Sequence, residues 1–132
     1  MEKARDFYEI VELICMHDRR YKADSYEFIM QALGFTQKHF NKTGHVTGKD
    51  LLEGIRLMAL KLYGPMAKTV LVHWGITKTE DFGNIVFNMI EAKLLAKTED
   101  DTLADFRNVY NFESAFNHVV TLSDEIPKKT NK

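Results

Sequence analysis

The feature that most constrains this chain is a helix bracketed on both sides in mid-sequence. Thr47-Gly48-Lys49-Asp50 places a hydroxyl where it can accept an orphan backbone N–H, with an acid three residues on. Behind it Leu51, Ile55, Met58, Ala59 and Leu62 recur at helical spacing and predict one apolar stripe. Tyr63-Gly64-Pro65 then stops the helix, since Gly64 can take a left-handed capping conformation and Pro65 suits the first turn of the next element.

That next helix is predicted at residues 65–74, with Met66, Val70, Leu71 and Trp74 inward and Gly75 closing it. Thr77-Lys78-Thr79-Glu80 reads as a second capping box. The helix it opens, at 78–93, should bury Phe82, Ile85, Val86, Met89 and Ile90. Upstream, Phe7, Ile10, Val11 and Ile14 mark a first helix at about 4–17. A longer one follows at about 23–41, with Tyr26, Phe28, Ile29, Met30, Ala32, Leu33 and Phe35.

Downstream the period changes. Leu94 to Thr98 and Phe106 to Tyr110 flank the acidic stretch Glu99-Asp100-Asp101-Thr102, a pattern that predicts a β-hairpin with a solvated tip. Asn111 can cap a final helix at 112–120. The polar stretch 123–132 is expected to be a disordered tail. The expected fold is therefore mainly α, a single domain over 1–122 with five to six helices and one C-terminal β-hairpin. An N-terminal helical pair (4–42) precedes a part at 46–111. Within residues 48–111, three helices followed by a hairpin have the element order of a winged helix, with 78–93 in the recognition position. A bundle with the hairpin as a flap has the same order.

Composition narrows the classes. A length of 132 residues suits one domain, and 18 Lys+Arg against 19 Asp+Glu leave no global field for a polyanion or an anionic membrane. No apolar run approaches the ~20 residues of a membrane span. The first ten residues mix both charge signs and lack a signal-peptide core. One cysteine, Cys15, rules out an internal disulfide framework and suits a reducing cytoplasm. The expected location is cytoplasmic, with no membrane partner.

The winged-helix order invites a DNA reading, and the charges oppose it. Residues 77–111 carry four bases and seven acids, a net −3. The expected outward face of the helix at 78–93 is Glu80, Asn84, Phe87, Asn88 and Glu91. Two asparagines could read adenine edges, but nothing nearby would hold phosphates. This face is expected to repel duplex DNA, and a protein surface suits it better. A second candidate is the edge Arg19, Arg20, Tyr21, Lys22 and Tyr26, where cations and two rings could stack and pair with RNA. The alternative is that these arginines cap the first helix and pair with Asp18, Asp24 or Glu27.

The five histidines show no metal-ligand spacing, so neither a metal nor a cofactor is expected. Asp81-Phe82-Gly83 repeats the kinase letters without the rest of that signature. It is instead expected to be a first-turn acid, a core ring and a close-packing glycine. Cys15 is expected to be an inert thiol, and Trp74 a core anchor. No catalytic residue is assigned.

Five ordered strings carry a family resemblance: R-Y-K-A-D-S-Y-E-F at 20–28, G-K-D-L-L-E-G-I-R at 48–56, Y-G-P-M-A at 63–67, H-W-G-I at 73–76 and D-F-G-N-I-V-F at 81–87. Together they resemble an uncharacterised family of small bacterial proteins with R-Y-x-x-x-A-Y-x-F, F-G-P-x-A, W-G and D-F-G-x-I-V-F motifs. Ser25 stands for the family's usual Ala, and Tyr63 for its Phe. The resemblance spans about residues 7–116. It implies a bacterial, cytoplasmic protein and, having no established activity, nothing about chemistry.

The function expected from these observations is a non-enzymatic protein–protein interaction module. The runner-up is an RNA- or ribonucleoprotein-binding protein acting through the edge from Arg19 to Tyr26. An enzyme with an unrecognised site is a third, weaker reading.

Overall fold

The computed structural model describes residues 6–42, 44–96 and 102–116, and every structural statement below concerns these. Six helices follow in order: α1 (Phe7–His17), α2 (Ala23–His39), α3 (Gly48–Tyr63), α4 (Ala67–His73), α5 (Thr79–Glu91) and the single-turn α6 (Phe112–Ala115). Two 3-10 turns, Gly64–Met66 and Leu103–Phe106, complete the regular structure.

The bracket around α3 forms as the sequence implies. Asp50 N–H donates to Thr47 Oγ1 at 3.0 Å, and Thr47 N–H reaches back to Asp50 Oδ2 at 3.5 Å. Leu51, Ile55, Met58 and Ala59 are buried, whereas Leu62 and Met66, both expected inward, lie exposed where the chain runs past the core. Asn111 caps α6 by accepting from Ser114 N–H at 3.2 Å. Residues 117–120 of the expected last helix, the tail at 123–132 and residues 97–101 of the expected hairpin fall outside the described residues.

Three helices end in the same way. After α2, Asn41 N–H bonds Lys38 O and Lys42 N–H bonds Gln37 O; after α4, Gly75 and Ile76 bond Val72 O and Leu71 O; after α5, Lys93 and Leu94 bond Ile90 O and Met89 O. Each is a Schellman closure, which satisfies the last carbonyls by putting one residue in positive φ. Asn41, Gly75 and Lys93 take that position at 56°, 96° and 67°. Gly75 has a second constraint, because a Cβ there would meet the Arg20 carbonyl oxygen at 2.1 Å. The link between α1 and α2 is thereby pressed against the end of α4, where Lys22 N–H donates to Trp74 O at 3.1 Å.

The core lies where α2 crosses α3 and α5 covers both. Gly54 permits that crossing: a Cβ on it would fall 1.8 Å from Thr36 Oγ1. Phe82, Ile85 and Met89 of α5 are fully buried, with Phe82 stacked on Phe112 at 5.7 Å. Each aliphatic or aromatic side chain so covered contributes about 1.5–3 kcal/mol.

The expected β-hairpin is not there: the described residues contain no strand. Lys93 turns the chain immediately after α5, and Asn108, at φ 51°, breaks what would be the second strand. In place of strand pairing, the 3-10 turn at Leu103–Phe106 drops Phe106 against α3 and α5. A Cβ on Gly83 would sit 2.8 Å from Phe106 Cβ, so the close-packing role expected of that glycine is realised here. Thr79 Oγ1 donates to Phe106 O at 2.6 Å and accepts from Val109 N–H at 3.1 Å, while the Tyr110 hydroxyl donates to Leu52 O at 2.8 Å. Without a wing, the winged-helix order at 48–111 resolves as packed helices sealed by an aromatic loop.

Candidate interaction cleft and the polar seam beside it

The first turn of α5 begins one residue later than its sequence suggests. Lys78 is the N-cap, and Asp81 rather than Glu80 is the acid that reaches back, its Oδ2 accepting from Thr77 N–H at 2.9 Å and Lys78 N–H at 3.2 Å. Its other oxygen accepts from the Tyr21 hydroxyl at 2.5 Å. Tyr21 in turn accepts from Asn84 Nδ2 at 2.9 Å. One turn on, Asn88 Nδ2 donates to Asp18 Oδ2 at 2.9 Å and to the Tyr26 hydroxyl at 3.0 Å. Asp81, Asn84 and Asn88 thus form a polar stripe on one flank of α5, closed by the link between α1 and α2.

This seam changes the standing of both candidate surfaces. Tyr21 is 3 % exposed and Tyr26 0 %, so neither ring offers a stacking face. Arg20 donates to both Asp18 oxygens, from Nε at 2.9 Å and Nη2 at 2.7 Å, and its guanidinium lies 5.1 Å from the Tyr21 ring centroid. Only Arg19 and Lys22 of the proposed RNA edge stand exposed without such a role. The pairing of Arg20 with Asp18 is the one the sequence offered as the alternative.

The electrostatics follow from the contacts. Hydrogen bonds from Arg20, then from Asn88, hold the Asp18 carboxyl well below the usual carboxylate range despite partial burial. Burial pushes the Tyr26 phenol up to about 12, and burial followed by the bond to Asp81 raises Tyr21 further. Burial and the charges of Asp18 and Glu12 raise the Cys15 thiol, which leaves it a protonated, poor nucleophile at neutral pH.

Of the expected outward face of α5, only part faces outward. Asn84 and Asn88 turn into the seam. Glu80 is half-buried, and Glu91 lies with Asn88 on a groove bordered by Ile10 and Leu13 of α1. Phe87 is on the opposite flank. It is half-buried and lines a cleft of about 260 Å³ with Leu33 of α2, Val46 and Leu51 at the start of α3, Ile90, and Leu95 beyond α5. The five residues expected to form one surface therefore do not share one.

Sequence reasoning gave Val46 no role, placed Leu33 on a helix face and Leu95 in a hairpin strand, and read Asp18 as an arginine partner and Asp81 as a first-turn acid without joining the two in a seam. For the seam a signal existed: Asp81, Asn84 and Asn88 stand three and four residues apart, a polar stripe beside the apolar one. For the cleft no local signal existed, because its walls come from four segments.

Among the described residues no three His, Cys, Asp or Glu side chains come together, and no helix is long and apolar enough to cross a membrane. The described residues define a small, mainly helical protein with an apolar cleft at Phe87 and a polar seam on the other flank of α5. No protein-family model, curated protein or solved structure matches the chain.

Proposed function

We propose that this protein is a non-enzymatic interaction module that docks an apolar side chain of a partner protein in the cleft beside Phe87. The observation that supports this is the contrast between two phenylalanines on one helix. Phe82 is fully buried, whereas Phe87 is half-buried over a concavity walled by aliphatic side chains. A small set of aromatic and aliphatic contacts around a desolvated pocket is where binding free energy concentrates. Covering such a wall gains about 25 cal/mol per Å² of apolar area. The single cysteine supports a cytoplasmic setting, and the motif resemblance supports a bacterial one. The edge from Arg19 to Tyr26 presents no aromatic platform to RNA, since Tyr21 and Tyr26 are buried.

The test is affinity capture from the native host with wild type, Phe87→Ala and Leu95→Asp, each checked for native circular dichroism. The expected result is one protein held in stoichiometric amount by wild type and lost by both variants. Equal capture by all three overturns the assignment.

A further inference from the structure

A second concavity lies near the opposite end of α2, roughly 20 Å along that helix from the Phe87 cleft, at 1.5 Å per residue from residue 24 to residue 37. It has a volume of about 310 Å³ and is lined by Asp24, Glu27, Phe28 and Gln31 of α2, Tyr63 ending α3, and Trp74 following α4. The three rings form one wall, with centroids 5.4 Å apart for Phe28 and Trp74, 6.0 Å for Tyr63 and Trp74, and 6.1 Å for Phe28 and Tyr63. Asp24 and Glu27 are three residues apart on α2 and so stand on one side of it.

These two carboxylates lack the partners expected for them. Arg20 is taken by Asp18, Lys42 by Asp50, Arg56 by Glu53 and Lys68 by Glu113, and no described cation pairs with Asp24 or Glu27. Among the described residues Glu27 accepts only from the exposed Tyr8 hydroxyl, at 3.2 Å. Both acids act on the wall: after burial, their charges are what raise the Tyr63 phenol above its ordinary range. A favourable helix N-terminus accounts for Asp24 in the first turn of α2, but not for Glu27 or for the concavity.

Aromatic faces attract cations through their quadrupole, and carboxylates at the rim add a point charge and a hydrogen-bond acceptor. We infer that this pocket binds an ammonium or guanidinium group, held at the partly exposed Tyr63 ring and paired with Asp24 and Glu27. The cation can belong to a lysine or arginine of a protein chain or to a small free molecule. The site is independent of the Phe87 cleft and stands whether or not that cleft binds a protein.

Trp74 is the only tryptophan, so its fluorescence reports on this wall alone. Intact protein is titrated with N-acetyl-arginine amide, with tetramethylammonium, with a short arginine peptide and with the neutral N-acetyl-citrulline amide. The expected result is a saturable change in Trp74 emission with the cations and none with citrulline. Asp24→Asn/Glu27→Gln, natively folded by circular dichroism, should bind at least tenfold more weakly, and Phe87→Ala should bind as wild type does. Tighter binding of the peptide than of the blocked amino acid assigns the cation to a protein chain, and equal binding to a free molecule. No saturable change with any cation, an equal response to citrulline, or undiminished binding by the double variant overturns the inference.

Discussion

The Tyr21 hydroxyl donates to Asp81 Oδ1 at 2.5 Å across 60 residues of sequence, and this bond fastens the link between α1 and α2 to the first turn of α5. Asp81 is also the acid that caps α5, so one carboxylate both starts a helix and positions its neighbour. A buried network of this kind specifies one arrangement, because each group it leaves unpaired is costly.

Tyr21→Phe strips a donor from Asp81 and an acceptor from Asn84 while keeping the ring. We predict a loss of about 1–3 kcal/mol, the usual cost of leaving buried polar groups unsatisfied. In a double-mutant cycle with Asn84→Ala the two losses should fail to add, with a coupling of at least about 0.5 kcal/mol. Urea unfolding measures both, and strict additivity would show that the seam is not a network.

The seam also predicts pH behaviour at both extremes. Asp18 has a depressed pKa in the folded state, so its contribution is present above the ordinary value of 3.8 and fades as the pH falls below it. Asp18→Asn should flatten this acid limb in a plot of unfolding midpoint against pH. Tyr26 has the opposite sign. Its neutral form is favoured by folding, so its contribution is present below the ordinary 10.0 and is lost as the pH climbs to about 12. Phenolate absorbance should therefore rise late in native protein and earlier in urea. Coincident titrations would place Tyr26 in solvent.

Two glycines in neighbouring helices should respond oppositely to alanine. Gly34 in α2 has open space around it, and Gly34→Ala should stabilise by about 0.5–1 kcal/mol through helix propensity. Gly54 faces Thr36 of α2 across the α2–α3 crossing, and Gly54→Ala should destabilise by about 1–3 kcal/mol through overpacking. Thermal melts of the two variants should shift in opposite directions. A stabilised Gly54→Ala variant would mean that the helices cross elsewhere.

Phe82 tests the inner face of α5. It is fully buried and stacked on Phe112, so Phe82→Ala should cost about 3–5 kcal/mol. Denaturant unfolding that shows a loss well under about 1 kcal/mol would remove it from the core.

What the sequence disclosed and what it concealed divides along a physical line. Thr47, Asp50 and Asn111 act within three residues of themselves, so their helix starts could be recognised from local pattern. Thr102-Leu103-Ala104-Asp105 has the same threonine-to-acid spacing, and Thr102 N–H does donate to Asp105 Oδ2 at 3.1 Å. That signature argued for a capped turn where the hairpin reading had the end of its tip and the approach to its second strand. Asn41 and Lys93 close helices without glycine, so their turns carried weaker marks.

The candidate surfaces failed for a longer-range reason. A helical wheel counts Asn84 and Asn88 as polar and therefore outward. Their inward direction depends on Tyr21 and Tyr26, which approach from more than 60 residues away. The aromatic residues of the basic edge and the asparagines of α5 are thus two halves of one interior seam. Phe87 stays partly exposed, at a cleft with no hairpin strand beside it.

The most direct test of the account is a photo-reactive benzophenone side chain placed at Phe87, at Leu95 and, as a control, at exposed Thr69 of α4, in the native host. Phe87 and Leu95 should cross-link the same single protein, and Thr69 should not. Cross-links that are equally abundant at Thr69, or that join Phe87 and Leu95 to different proteins, would contradict it.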